Sequence, residues 1–230
     1  MMNKWISLLV ISAFCLCGSA LADSYLEPFD KKYKMTLSGI SVTAHRSLEQ
    51  LDDGNYLFRL KAKNLISRYE EKSLFKVDDT GQMYPLEHSV KSRVLGVPRH
   101  ERTVFDWETA TATYTKKDTV RTTDIKPGHL DRVLYQLLVS GDLNSGKTEL
   151  AYDFIDRGRL KTYEFEIVAE ETVELKKAEV NAVRINRVNQ RNKDKETHIW
   201  FAPENGYELI KISHIDKDGS DYHLELKDAL

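Results

Sequence analysis

The chain has 230 residues, 41% of them hydrophobic and 30% charged, with a formal net charge of −2. This composition is too apolar for a disordered segment, and a charge near neutrality argues against a nucleic-acid binder. The length suits one unit with a core large enough to fold without disulfides, and we expect a single β-rich domain over residues 23–230.

The first segment reads as an address. Lys4 precedes the apolar run Trp5 to Cys17, and Gly18-Ser19-Ala20-Leu21-Ala22 then leads into Asp23-Ser24. A positive start, a short apolar core and Ala-x-Ala together predict an export signal cleaved after Ala22. The run falls short of the ~20 apolar residues of a spanning helix; an uncleaved N-terminal anchor is the alternative. Phe14 before Cys15 and Leu16 before Cys17 are not the small residues of a lipoprotein signal. Both cysteines leave with this segment, so the expected mature chain has no disulfide, no thiolate metal site and no cysteine nucleophile. Residues beyond 22 contain no transmembrane span. The expected location is outside the cytoplasm, in a bacterial periplasm.

Alternation with a period of two dominates the rest of the chain. Tyr33, Met35 and Leu37 share one face, as do Tyr56, Phe58, Leu60 and Ala62. Tyr84, Leu86 and Val90 are expected on the face of His88. Leu150, Tyr152 and Phe154, then Tyr163, Phe165 and Ile167, then Tyr222, Leu224 and Leu226 continue the pattern. Such strands have one buried and one wetted face, as antiparallel sheets do. Asp53-Gly54, Asp79-Thr80-Gly81, Asn144-Ser145-Gly146, Arg157-Gly158, Asn205-Gly206 and Asp218-Gly219 mark the turns.

One segment has a different period. Leu130, Val133, Leu134, Leu137 and Leu138 form an apolar helical stripe, with Pro127-Gly128 at its start and Gly141 at its end. The predicted fold is mainly β: a curled antiparallel sheet or open β-barrel with one covering α-helix at about residues 129–142. The turns also predict registers. A three-residue loop, Lys217-Asp218-Gly219, pairs Ile212 with Leu224, Ile210 with Leu226 and His214 with Tyr222. A three-residue loop at Asp52-Asp53-Gly54 pairs Leu48 with Phe58 and Ala44 with Ala62.

Motifs for chemistry are scarce. The seven histidines lack metal-ligand spacing, and the preferred register puts His214 and His223 on opposite faces. Asp216, Asp218 and Asp221 do not complete a calcium loop, because Lys227 stands where a closing glutamate belongs. There is no G-x-S-x-G elbow, phosphate loop or dinucleotide fingerprint. No catalytic, metal-binding or cofactor-binding residue is therefore assigned, and no cofactor is expected.

Three cationic stretches stand out: Lys91, Arg93, Arg99, His100 and Arg102; Arg157, Arg159 and Lys161; and Arg184, Arg187, Arg191 and Lys193. Each could be the wet face of a hairpin or a contact for anionic headgroups or polyanionic polymers. The first is the better candidate, because apolar Val94-Leu95-Gly96-Val97 lies between its cations. Trp107 and Trp200 sit in strand-like runs, as core residues or as walls of an apolar pocket.

His198-Ile199-Trp200-Phe201-Ala202-Pro203 followed by Gly206-Tyr207-Glu208-Leu209-Ile210-Lys211-Ile212, together with Gly128-His129-Leu130-Asp131-x-x-x-Tyr135-Gln136-Leu137 and Phe29-x-x-x-Tyr33, resembles the bacterial domain-of-unknown-function family 3108. The likeness spans Pro28 to Leu226 and implies an exported, β-rich protein. It implies no catalytic residues, so no role passes to Trp200, Asp131 or Tyr135. The expected function is a non-enzymatic binding or carrier module for an apolar or lipid-like ligand. An envelope protein–protein interaction module is the alternative, and an enzyme acting on envelope glycans or lipids ranks below both. Trp107, Trp200 and Tyr135 are the candidate pocket contacts and Arg93 and Arg99 the candidate surface contacts; the partner is a lipid-like ligand or an envelope protein, not nucleic acid.

Overall fold

The alternating segments become two meanders of strand. The computed structural model describes residues 26–37, 39–176, 178–188 and 195–228. The expected export segment and its cleavage site after Ala22 lie outside these residues, as do Arg191 and Lys193. The first meander comprises β1 (Phe29–Leu37), β2 (Ile40–Gln50), β3 (Tyr56–Lys63), β4 (Ser67–Val77), β5 (Met83–Val94), β6 (Val97–Asp106), β7 (Thr111–Lys116) and β8 (Thr119–Asp124). A two-residue strand β9 (Leu130–Asp131) and helix α1 (Tyr135–Asn144) come next. The second meander is β10 (Leu150–Ile155), β11 (Leu160–Leu175), β12 (Ala178–Arg187), β13 (Glu196–Ala202), β14 (Glu208–Ile215) and β15 (Asp221–Leu226).

All fifteen strands belong to one sheet, in the order β8-β7-β6-β5-β4-β3-β2-β1-β15-β14-β13-β12-β11-β10-β9. Every neighbouring pair is antiparallel except β9 with β10. This order forces a curl. Laid flat, fifteen strands at ~4.8 Å per neighbour would hold β8 and β9 about 67 Å apart. The connection from Asp124 to Leu130 reaches at most about 22 Å, so the two ends of the sheet must come together. They meet without a hydrogen-bonded ladder between β8 and β9, and the sheet does not close into a barrel.

Side chains and one hairpin turn make the junction instead. Thr123 donates to the Gly158 carbonyl at 2.9 Å and Arg121 to the Arg157 carbonyl at 3.1 Å. Ile125 packs with Phe105, Ala112 and Ile155. The turn itself has positive φ at both central residues, 52° at Arg157 and 67° at Gly158, as two-residue hairpins prefer. A Cβ at Gly158 would lie 2.6 Å from Arg121 Cβ. Gly158→Ala is therefore expected to cost about 1–3 kcal/mol in chemical denaturation, from the left-handed backbone and the clash together.

The hairpin registers agree with the turn-based expectation: Leu48 faces Phe58 and Ala44 faces Ala62, while Ile212 faces Leu224 and His214 faces Tyr222. His223 stands opposite Ser213, one step out of register with His214. One face differs from the expected alternation, at a bulge, and a second bulge borders an exposed residue. The register shifts where Leu74 pairs with Glu87 and Phe75 with Pro85; the extra residue, Leu86, turns Met83 and Pro85 to the face of His88 and Tyr84 away from it. A second shift, between Ile167 and Ala169, follows Ile167, which stays opposite buried Ile185 and is nonetheless exposed.

The helix also departs from expectation. It spans Tyr135–Asn144, not residues 129–142. Leu130 and Asp131 pair instead with Phe154 and Ile155 as β9, and the Asp131 carboxylate accepts the amides of Val133 and Leu134, so helical geometry starts later. At the other end Gly141 lies within the helix. Gly146, at φ 79°, terminates it, with its amide on the Leu143 carbonyl. Leu137 and Val139, two residues apart and so on opposite sides of a helix, are both buried. The helix is thus enclosed by the curl on two sides. Tyr135 is ringed by Tyr152, Phe154, Tyr163 and Phe165, at 5.5–6.3 Å between ring centroids.

Candidate functional site: a cationic rim with apolar tips

The β1–β2, β3–β4 and β5–β6 turns lie along one rim of the sheet. There the register builds a row that no single segment contains. Lys34 faces Thr43, Thr43 faces Lys63, Lys63 faces Arg68, and Arg68 faces Arg93. Directly paired strand residues point to the same side at about 5 Å spacing, so four cations share one row, and its acid, Glu225, stands beyond Lys34 at the β15 end. Like charges directly opposite destabilise a sheet, and neither Arg68 nor Arg93 has an ion pair among the described residues. The next row holds Lys61, Glu70, Lys91 and His100, and Glu70 pairs with Lys61 and Lys72. A groove of about 940 Å3 runs along these rows, bordered by Lys61, Lys63, Arg68, Lys91, Arg93 and Arg99.

Beyond the cations lie bare apolar tips. Leu65 is fully exposed, and Ile66, Val94, Leu95 and Val97 are exposed beside it. The Leu95 amide donates to the Ile66 carbonyl at 2.9 Å, joining the β3–β4 and β5–β6 tips into one surface. Leu37 and Ile40 continue it at the β1–β2 tip.

A second cluster of ionisable groups lies inside the curl. Glu71 and Ser73 on β4 face inward with His88 on β5, and Asp131 and Arg132 reach them from β9 and the turn after it. Glu71 accepts from Arg132 Nε at 2.6 Å and from the Tyr69 hydroxyl, and meets His88 Nε2 at 2.8 Å. Ser73 donates to Asp131, and Arg132 also donates to the Tyr69 hydroxyl at 2.9 Å. Burial alone would raise the Glu71 carboxyl, but the His88 and Arg132 hydrogen bonds and the Arg132 charge hold it at about 2. Burial lowers His88, yet the Glu71 hydrogen bond and the Asp131 and Glu71 charges leave it raised. Burial pushes Asp131 up, against the pull of His88 and Ser73. Ser73 and Asp131 are fully buried, and the serine donates to a carboxylate rather than to an imidazole. This arrangement is a polar staple between the two meanders, in which His88 meets Glu71 and makes no contact with Ser73 of the serine–histidine kind.

The residues singled out from sequence separate into four places. Arg93 stands in the cationic row and Arg99, opposite Ser92, one step away from it; both border the groove. Tyr135 is in the interior aromatic cluster. Trp107 packs against Tyr84 at 5.0 Å and donates to the Pro85 carbonyl. Trp200 stands between Arg184 and Lys211 across the strands, with Lys211 Nζ 5.0 Å from its ring centre, and donates to Glu171. Lys63, Arg68, Leu65 and Ile66 were missed. The available signal was an apolar pair inside the short turn Asn64–Ser67, between two cations. Among the described residues no group of three or more His, Cys, Asp or Glu side chains is placed to hold a metal ion, and no helix is long and apolar enough to cross a membrane.

A family model described as protein of unknown function (DUF3108) matches residues 32–227. The chain belongs to this family. Its fold is similar to the crystal structure of a β-barrel-like protein of the domain of unknown function DUF1849 from Brucella abortus, with a TM-score of 0.55 and 11% sequence identity over 87% of this chain and 96% of that one. At that identity the likeness concerns the fold alone. No curated protein matches the chain.

Proposed function

We propose that this DUF3108 protein is a non-enzymatic binding module of the bacterial envelope that docks on an anionic phospholipid surface through its cationic rim. The observation that carries this reading is the cross-strand row Lys34, Lys63, Arg68 and Arg93, set directly behind the apolar tips at Leu65-Ile66 and Leu95. The layering matches a bilayer surface, where phosphates lie just above the acyl boundary. Mutual repulsion within the row falls when phosphates come between the cations, which gives the tolerated like-charge pair Arg68–Arg93 a role. The interior argues for docking over carriage of a whole lipid, because α1 and its aromatic ring of neighbours occupy the curl. Export to the envelope rests on the Lys4–Ala22 pattern.

The test is co-sedimentation with vesicles of phosphatidylcholine alone or mixed with phosphatidylglycerol. Binding is expected only to the mixed vesicles, weakening as salt is added. Replacing Lys63, Arg68 and Arg93 by glutamine should lower partitioning roughly a hundredfold, at about a factor of five per lost cation. Leu65→Ser with Leu95→Ser should weaken it with no change in the salt dependence. Equal binding to neutral vesicles, or an unaffected triple variant, would rule the reading out.

A further inference from the structure

We propose that the cavity at Arg46 is a binding site for a small organic monocarboxylate, anchored by the Arg46 guanidinium. This inference is independent of the rim. Arg46 lies on β2 between Ala44 and Leu48 and points into the curl, with only 4% of its surface exposed. Buried charges are ordinarily paired, because an isolated one is costly to desolvate. Arg46 has no carboxylate within ion-pair distance among the described residues. It donates to two neutral oxygens, Tyr33 Oη and Gln136 Oε1, each at 3.3 Å, and its Nε has no partner. The Tyr33 hydroxyl is itself committed as a donor to the Leu209 carbonyl at 2.9 Å. The rings of Phe29, Tyr33 and Phe58 lie 5.3–5.9 Å from the guanidinium carbon.

Beside this cation is a cavity of about 280 Å3, between β1, β2, the first turns of α1 and the turn that leads into β14. Phe29, Tyr33, Leu137 and Leu209 supply apolar wall, and Gln136 and Ser140 supply polar wall. Two carboxylates border it, Glu208, which is taken by Lys31 at 3.2 Å, and the exposed Glu27; neither is within ion-pair distance of Arg46. A guanidinium with a spare donor, three rings behind it and a mixed wall in front fits an anion with one planar charged end and an apolar remainder. Carboxylates meet that description through the two-pronged hydrogen bonding that arginine offers. At ~30 Å3 per water-sized group, the volume admits roughly nine heavy atoms, the size of benzoate.

Benzoate, benzamide and inorganic phosphate serve as probes of the full chain. Benzoate is expected to raise the melting temperature saturably, while benzamide, of equal size and no charge, leaves it unchanged. Arg46→Lys keeps the charge but loses the fork, and should weaken benzoate at least tenfold. On the unaltered chain, benzoate should shift the amide resonances of Gln136 and Leu209 and leave Lys63 and Arg93 unmoved. That arm holds even if Arg46→Lys does not fold. Equal shifts from benzamide, a response to phosphate in place of benzoate, undiminished affinity in Arg46→Lys, or resonance shifts confined to the rim would each overturn the proposal. Failure here leaves vesicle binding untouched, and the reverse also holds.

Discussion

Replacing Glu71 by glutamine is expected to destabilise the protein by about 3–5 kcal/mol, the usual cost of breaking a buried ion pair from one side. Glu71 is 3% exposed and holds three partners at once: Arg132, His88 and the Tyr69 hydroxyl. Without the negative charge, buried His88 is left with a neutral amide oxygen, and Arg132 with that oxygen, the Tyr69 hydroxyl and Asp156 at 3.7 Å. The loss also reaches the fold, because Arg132 follows β9 and Glu71 lies on β4, 61 residues apart in sequence. Urea denaturation measures the effect.

The same substitution should change the pH dependence in a defined direction. The Glu71 carboxyl is held at about 2, below its ordinary 4.5, so its contribution is present above 4.5 and is lost as pH falls towards 2. His88 is raised above its ordinary 6.5; its contribution is full below 6.5 and declines as pH rises through the folded value. Asp131, also raised, acts in the same sense as His88. Its contribution is full only below its ordinary 3.8, so the window from about 4.5 to 6.5 belongs to the Glu71–His88 pair. In Glu71→Gln the acid limb should become shallower, because its most deeply buried low carboxyl is gone while Glu87 and Glu101, also held low, remain. A variant that keeps both limbs of the wild-type profile would show that the staple does not control the dependence.

Phe154→Ala should cost about 3–5 kcal/mol, as truncations of large buried aromatics do. Phe154 is 1% exposed. Its ring lies 4.5 Å from Tyr163 and 5.8 Å from Tyr135, and its backbone faces Leu130 in the one parallel pair of the sheet. Truncation opens a cavity where α1, β9 and β10 meet. Ile167→Ala is the contrasting variant. Ile167 stands in register opposite buried Ile185, on the same face as Phe165, yet it is 42% exposed beside the bulge that follows it. Its loss should cost less than about 0.5 kcal/mol. Denaturation curves of the two variants compare a filled interior position with an open one.

Much of the architecture was legible from the chain. Turn glycines with alternating flanks specified the Leu48–Phe58 and Ile212–Leu224 pairs, because a one-residue slip would expose a whole apolar face. The helix was legible in kind but not in its limits. Leu130, Val133 and Leu134 fit a helical stripe, yet Leu130 found a strand partner 24 residues later in Phe154. The bulges at Leu86 and Val168 were hidden for a similar reason: an extra residue in one strand shows only against its neighbour. At the rim, the cations from Lys91 to Arg102 and the apolar tip between them were visible as one stretch, but Lys63 and Arg68 joined them only through pairing.

The order of residues alone dictated the antiparallel strands, their local registers and the family, since each rests on neighbours a few residues apart. Tertiary contacts set the curl, the staple of Glu71, His88, Asp131 and Arg132, and the buried position of Arg46. These depend on groups brought together across 58 to 90 residues. A charged residue on an alternating strand reads as solvated until the strand order shows which face the curl encloses.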